Sequence, residues 1–146
     1  MKKYLGIGLV VVTVGFLTGC GASNSLKCTQ TLSESDDMTM KQTVNFNFKG
    51  DNISTMEVVQ TIQVSDEYKS YLSEFEEELA SELADMDELK GISYNSKTKG
   101  NTITMTISAD FAKMDDEAKE ELDLVDADAN RDAVKKVFEE QGYTCK

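Results

Sequence analysis

Polar and apolar residues alternate over several stretches of this chain. Met38, Met40, Val44, Phe46 and Phe48 share one parity, and Thr39, Lys41, Thr43, Asn45 and Asn47 share the other. A period of two sends successive side chains to opposite faces, so this run predicts a strand with one buried and one wet face. Ile103, Met105, Ile107, Ala109 and Phe111 alternate in the same way with Thr102, Thr104, Thr106, Ser108 and Asp110. Met56, Val58, Ile62 and Val64 mark a further strand within Ile53 to Val64. Leu26, Cys28, Gln30 and Leu32 outline the first one. Ser33 to Asp37 and Gly50-Asp51-Asn52 have the composition of reversals, so an antiparallel three-strand meander is the economical reading.

The period changes after Ser65. Tyr68, Tyr71, Leu72, Phe75, Leu79, Leu83 and Met86 recur at spacings of three and four, the mark of an amphipathic helix. Ser65 is placed to cap it, with Asp66 and Glu67 at the positive end of its dipole, and Gly91 to end it. Ile92 to Ser96 reads as a short strand, and Lys97 to Asn101 as the turn into the strand that begins at Thr102. Asp115 can cap a helix through Leu124, and Asn130 another running to Gln141. In that last helix Val134, Val137 and Phe138 are expected to face inward, with Gly142 as the residue that closes it. The fold expected is α+β: an antiparallel sheet of about five strands in the order β-β-β-α-β-β-α-α, with helices packed on one face.

The first nineteen residues follow neither pattern. Lys2 and Lys3 precede an apolar run from Leu5 to Leu17, which leads into Leu17-Thr18-Gly19-Cys20. A charged start, a short apolar core and small residues before a cleavage point define a secretory signal. A spanning helix would need about 20 apolar residues, more than this run holds. A cysteine directly after Leu-Thr-Gly resembles the lipobox of bacterial lipoproteins, which implies that Cys20 carries acyl chains such as palmitate and becomes the new N-terminus. The expected organisation is a signal peptide over 1–19, the lipidated Cys20 with a small polar tether over 20–25, and one domain over 26–146. The expected location is the extracytoplasmic face of the cell membrane.

Charge narrows the partners. Lys2 and Lys3 account for two of the fifteen Lys and Arg residues, so the chain from Cys20 onward has thirteen against 27 Asp and Glu, a formal charge of −14. A nucleic-acid partner would require a basic footprint, so none is expected. Acyl chains on Cys20 would have to supply the membrane affinity themselves. Cys28 and Cys145 are the other two cysteines. In an oxidising compartment they are expected to pair, closing nearly the whole domain into one loop. Unrelated buried thiols, or a reactive pair, are the alternatives, although Cys-x-x-Cys spacing is absent.

Enzyme signatures are scarce. The chain has no histidine, which excludes Ser-His-Asp triads and imidazole metal sites. No phosphate loop, dinucleotide fingerprint or nucleophile elbow occurs. Carboxylates are abundant, but no local pattern nominates one with a raised pKa, so a carbohydrate-acting or cell-wall hydrolase with a carboxylate pair ranks last. Asp126, Asp128 and Asn130 match the first three ligand positions of a calcium loop, yet Arg131 stands where its glycine should be and Val137 where its glutamate should be. They are weak metal candidates, and Asn130 serves equally as a helix cap. The crowded acids from Glu74 to Glu88 read as a solvated helix face before a cation-binding one. Met38, Met40, Met56, Met86 and Met105 fall on apolar parities, which favours core packing over copper binding.

Several of these segments together resemble the YehR-like family of small, uncharacterised bacterial lipoproteins. They are the lipobox, Phe46-Asn47-Phe48-Lys49-Gly50-Asp51, Leu89-Lys90-Gly91-Ile92, the threonine-rich strand Thr102 to Phe111, and the final helix ending in Gly142-Tyr143. The resemblance spans nearly the whole chain through loose patterns. It implies an α+β domain with an antiparallel sheet backed by helices, and it supplies no catalytic residue. The function expected is a non-catalytic binding or structural module, anchored in the cell envelope and needing no cofactor. A calcium-binding lipoprotein and a hydrolase are the two alternatives.

Overall fold

A computed structural model describes residues 24–146 apart from residues 88, 117 and 119–129. Strands β1 (Ser25–Glu34), β2 (Met38–Lys49) and β3 (Asn52–Val64) form the meander, and one 3-10 turn leads into helix α1 (Leu72–Asp87). Strands β4 (Ile92–Lys99) and β5 (Thr102–Asp110), helix α2 (Arg131–Glu140) and strand β6 (Thr144–Cys145) complete the described elements. They build one antiparallel sheet in the order β4-β5-β3-β2-β1-β6.

Register explains why one face is apolar. Cys28, Val44, Val58, Ile107 and Tyr94 form one continuous rung across five strands, and Leu26, Phe46, Met56, Ala109 and Ile92 form the next. Phe48 stays on this face by alternation, and a bulge at Ser54, between the pairs Asn47–Thr55 and Phe48–Ile53, brings Ile53 onto it as well. Val134 of α2 joins Leu26, Val44, Phe46 and Phe48 in one buried cluster, with Phe138 and Tyr143 packed against it. Leu72 and Leu79 of α1 join Ile62, Ile103 and Met105 in a second. Between the two clusters runs a polar rung of Gln30, Gln42 and Gln60. The Tyr143 hydroxyl donates to Gln42 Oε1 at 2.6 Å, whereas Gln60 Oε1 is buried with no partner among the described residues.

Several expectations change. The sheet has six strands, since β6 pairs Cys145 with Cys28 and Thr144 with Thr29; two residues are too few to show a period. The turn after β4 is only Gly100-Asn101, because Thr98 and Lys99 still pair with Ile103 and Thr102. Ser25, expected in the tether, is the first residue of β1, and the carbonyl of Asn24 already accepts from Phe48 N–H at 2.7 Å. Of the described helices, α1 packs on β4 and β5 at one end of the strand order, and α2 on β1 and β6 at the other. Helix α1 begins seven residues after Ser65, whose hydroxyl does not cap it and is buried with no partner among the described residues.

The chain ends are tied as the cysteine count suggested. Cys28 and Cys145 form a disulfide with Cα atoms 4.1 Å apart. Next to them, Lys27 and Lys146 exchange both backbone hydrogen bonds, at 3.0 and 2.9 Å. The cysteines therefore occupy the neighbouring non-hydrogen-bonded pair, where antiparallel side chains approach most closely. Helix α2 leads into β6 through two bonds, Gly142 N–H to the Glu139 carbonyl and Tyr143 N–H to the Phe138 carbonyl, both at 3.0 Å. With Gly142 at φ +92°, this is the Schellman closure that turns the chain back toward β1.

Candidate functional site

Two concave regions stand out, at opposite ends of the sheet. The first opens on the polar face and encloses about 480 Å³. Asn45, Glu57, Ser108 and Ser93 form one rung of its floor, and Asn47, Thr55 and Asp110 the next. Strand alternation puts all of these opposite the packed face. Asn45 Nδ2 donates to Glu57 Oε1 at 3.0 Å, and Asn47 Nδ2 to Thr55 Oγ1 at 2.9 Å. Lys113 closes the rim, with Nζ 2.7 Å from Asp110 Oδ2. That hydrogen bond, reinforced by the ammonium charge, holds the Asp110 carboxyl below the usual carboxylate range and outweighs its desolvation. The same contact raises the Lys113 ammonium.

Gly91 shapes this cleft. Its φ is +86°, and a Cβ there would lie 2.8 Å from both the Asp110 carbonyl oxygen and the Met114 nitrogen. Only glycine lets the chain leaving α1 press so closely against the end of β5. Asp110 N–H donates to the Gly91 carbonyl at 2.8 Å, which fixes the approach.

The second region is apolar and encloses about 280 Å³, lined by Met38, Ile62, Val64, Leu72, Tyr68, Tyr71 and Phe75, with Asp37 at its edge. It exists because α1 starts late. Tyr68 and Tyr71 belong to the turns before the helix, so they stand around the pocket and do not continue the buried stripe. Tyr71 is 62% exposed, Tyr68 43% and Phe75 37%, while Leu72 and Leu79 are buried. The two tyrosine rings lie 6.5 Å apart between centroids. Met38 and Val64 are register partners at the end of the sheet away from Ser25. The ten residues of β1 separate the two ends by about 30 Å.

The residues singled out in the sequence fall as follows. Cys20, Asp126 and Asp128 lie outside the described residues, as does most of the segment Asp115 to Leu124. Asn130 caps α2, its Oδ1 accepting from Ala133 N–H at 3.0 Å. Asp115 Oδ1 accepts from Ala118 N–H at 3.1 Å, as a cap would. In α2, Val134 is buried and Val137 is half exposed, so the inward face runs through Val134 and Phe138 alone. On α1, Glu76 accepts hydrogen bonds from Ser96 (3.0 Å) and from Thr98 of β4. Among the described residues no cluster of three or more acids or cysteines is arranged to hold a metal ion.

Neither concave region was visible in the sequence. The aromatic pocket was hidden because Tyr68, Tyr71 and Phe75 fit the spacing of a helical core. The cleft was hidden because Glu57 and the local Asp110–Lys113 pair are brought to one site only by the β3–β5 pairing. A scan against protein-family models finds no match, and no curated protein matches. A solved structure, the NMR structure of a protein from Streptococcus pneumoniae TIGR4, is similar over 100% of this chain and 99% of its own, with 18% identity and a TM-score of 0.48. A likeness at that level carries no argument about fold or function.

Proposed function

We propose that the chain is a lipid-anchored extracytoplasmic binding module, without catalytic activity, that takes a small aromatic or branched aliphatic group into the pocket between β2, β3 and α1. The observation carrying this reading is the exposure of Tyr71, Phe75 and Tyr68 around an apolar floor. Exposed large apolar groups gathered at a concavity are a feature of binding sites, whereas scattered ones are ordinary surface. A volume near 280 Å³ suits a side chain or a ring better than a whole lipid. The location supports the reading: with Cys20 acylated, the pocket lies at the end of the sheet away from the anchor, open to the medium. The lipobox and the resemblance to YehR-like lipoproteins support the anchor.

The carboxylates of the polar cleft argue for the non-catalytic side of the proposal. A glycoside-cleaving pair needs one acid held protonated. Asp110 is pushed the other way by Lys113.

A fluorescence titration with a neutral naphthalene dye tests the pocket, because the acidic chain does not repel an uncharged probe. The chain from Asn24 onward should bind it, and Tyr71→Ser/Phe75→Ser should weaken binding roughly tenfold, the equivalent of two lost apolar contacts, at an unchanged melting temperature. Equal binding by both proteins would remove the pocket from the account.

A further inference from the structure

The open face of the sheet carries a charge opposite to that of the whole molecule. Lys27 pairs in register with Asn45, Lys41 with Thr61, Lys97 with Thr104 and Lys99 with Thr102, so alternation places all four on the side away from the helices. All four are exposed, and none forms a salt bridge among the described residues. The central acids of this face are already engaged: Glu57 by Asn45 and Asp110 by Lys113. Between the lysines runs the rung Thr29, Thr43, Val59, Thr106 and Asn95, in which Thr43 and Val59 are buried and Thr29, Thr106 and Asn95 reach the surface. Neither described helix packs there. A chain with 27 acids against 15 bases thus presents one face on which cations predominate.

We infer that this face is a second binding surface, and that its ligand is a flexible polymer of phosphodiester-linked polyol units. Lysine ammoniums bind phosphate as point charges without demanding one geometry, and threonine and asparagine side chains complement free hydroxyls. The shape and charge of the molecule select a single chain over a bilayer. A sheet is a twisted saddle, which a flexible strand can follow and a flat membrane cannot. At physiological salt, charges more than about 8 Å away are screened. A polymer lying on the face therefore meets the lysines, while an extended anionic plane also meets the acidic remainder. The polar cleft at Asn45, Asn47 and Ser108 extends the same track toward the β4 edge.

The test is a binding titration of the full chain, held in an uncharged detergent, with poly(glycerol phosphate). The wild type should bind at low ionic strength and weaken as salt rises. Lys41→Glu/Lys97→Glu should lose roughly tenfold or more in affinity. Lys135→Glu/Lys136→Glu, an identical change in net charge at helix positions off the sheet, should bind the polymer as the wild type does. Neutral dextran should not bind, and anionic vesicles should not compete with the polymer. The inference is overturned if the polymer does not bind at low salt, if the two double variants weaken equally, or if vesicles displace the polymer. Dye binding in the aromatic pocket is read in the same preparations, so failure at one site does not bear on the other.

Discussion

Breaking the Cys28–Cys145 bond should remove a large share of this domain's stability. The bond joins residues 117 apart in sequence, and in the chain-entropy account a loop of that size restricts the unfolded state by about 4.9 kcal/mol. Residual structure in the reduced unfolded chain lowers the figure, so about 3–5 kcal/mol is expected. That is a large fraction of the roughly 5–15 kcal/mol typical of a whole domain. Reduction is the cleanest perturbation. Cys28 is fully buried, and truncating it would add a cavity to the effect. Urea unfolding with and without a phosphine reductant, with thiols counted in each sample, gives the difference directly. The reduced protein should have a lower midpoint and a steeper dependence on urea, since its unfolded state exposes more surface. In a thermal scan the loss should be about 12–20 °C for a domain of this size. A difference under about 4 °C, or about 1 kcal/mol, would refute the reasoning. It would mean that the backbone pairing of Lys27 with Lys146 holds the ends together unaided.

Three further outcomes follow from single positions. Gly91→Ala should destabilise by roughly 3 kcal/mol or more, because the new Cβ meets backbone on two sides. Gly100→Ala, also at positive φ but in open space, should cost only about 1 kcal/mol; equal urea midpoints for the two would refute the close approach. Gln60→Met should stabilise by about 1–2 kcal/mol by removing a buried acceptor without a partner, and a lower midpoint would show that the amide is satisfied in solution. Burial raises the Tyr143 pKa above 10.0. The folded state then holds its proton more tightly than the unfolded state, so this contribution is intact below pH 10 and is lost as pH rises through the folded value. Alkaline titration of tyrosine absorbance should lose late-titrating amplitude in Tyr143→Phe, and identical late amplitude in the two proteins would contradict the assignment.

The meander and β5 were legible because each buries one face only, and a half-buried strand writes its period into the sequence. Residues 97–99 read as a turn because lysine and threonine on an edge strand look like one; only pairing with Thr102 to Thr104 reveals a strand. Strand β6 was invisible to periodicity, yet Cys145 announced its partner through the cysteine count. The helix start failed for a physical reason that bears on function. Tyr68, Tyr71 and Phe75 keep helical spacing with Leu72 and Leu79, and spacing alone does not tell a buried ring from one left at a pocket mouth. The lysine face was hidden by the same limit, since Lys27, Lys41, Lys97 and Lys99 share a surface only once the register is known.

The aromatic pocket is the feature on which the proposed binding function depends most. The most direct test is a methyl and amide NMR titration of the chain from Asn24 onward with indole. The account predicts shifts confined to Met38, Ile62, Val64, Leu72 and the backbone from Tyr68 to Phe75. Shifts centred on the Asn45–Asp110 cleft, or none at all, would contradict it.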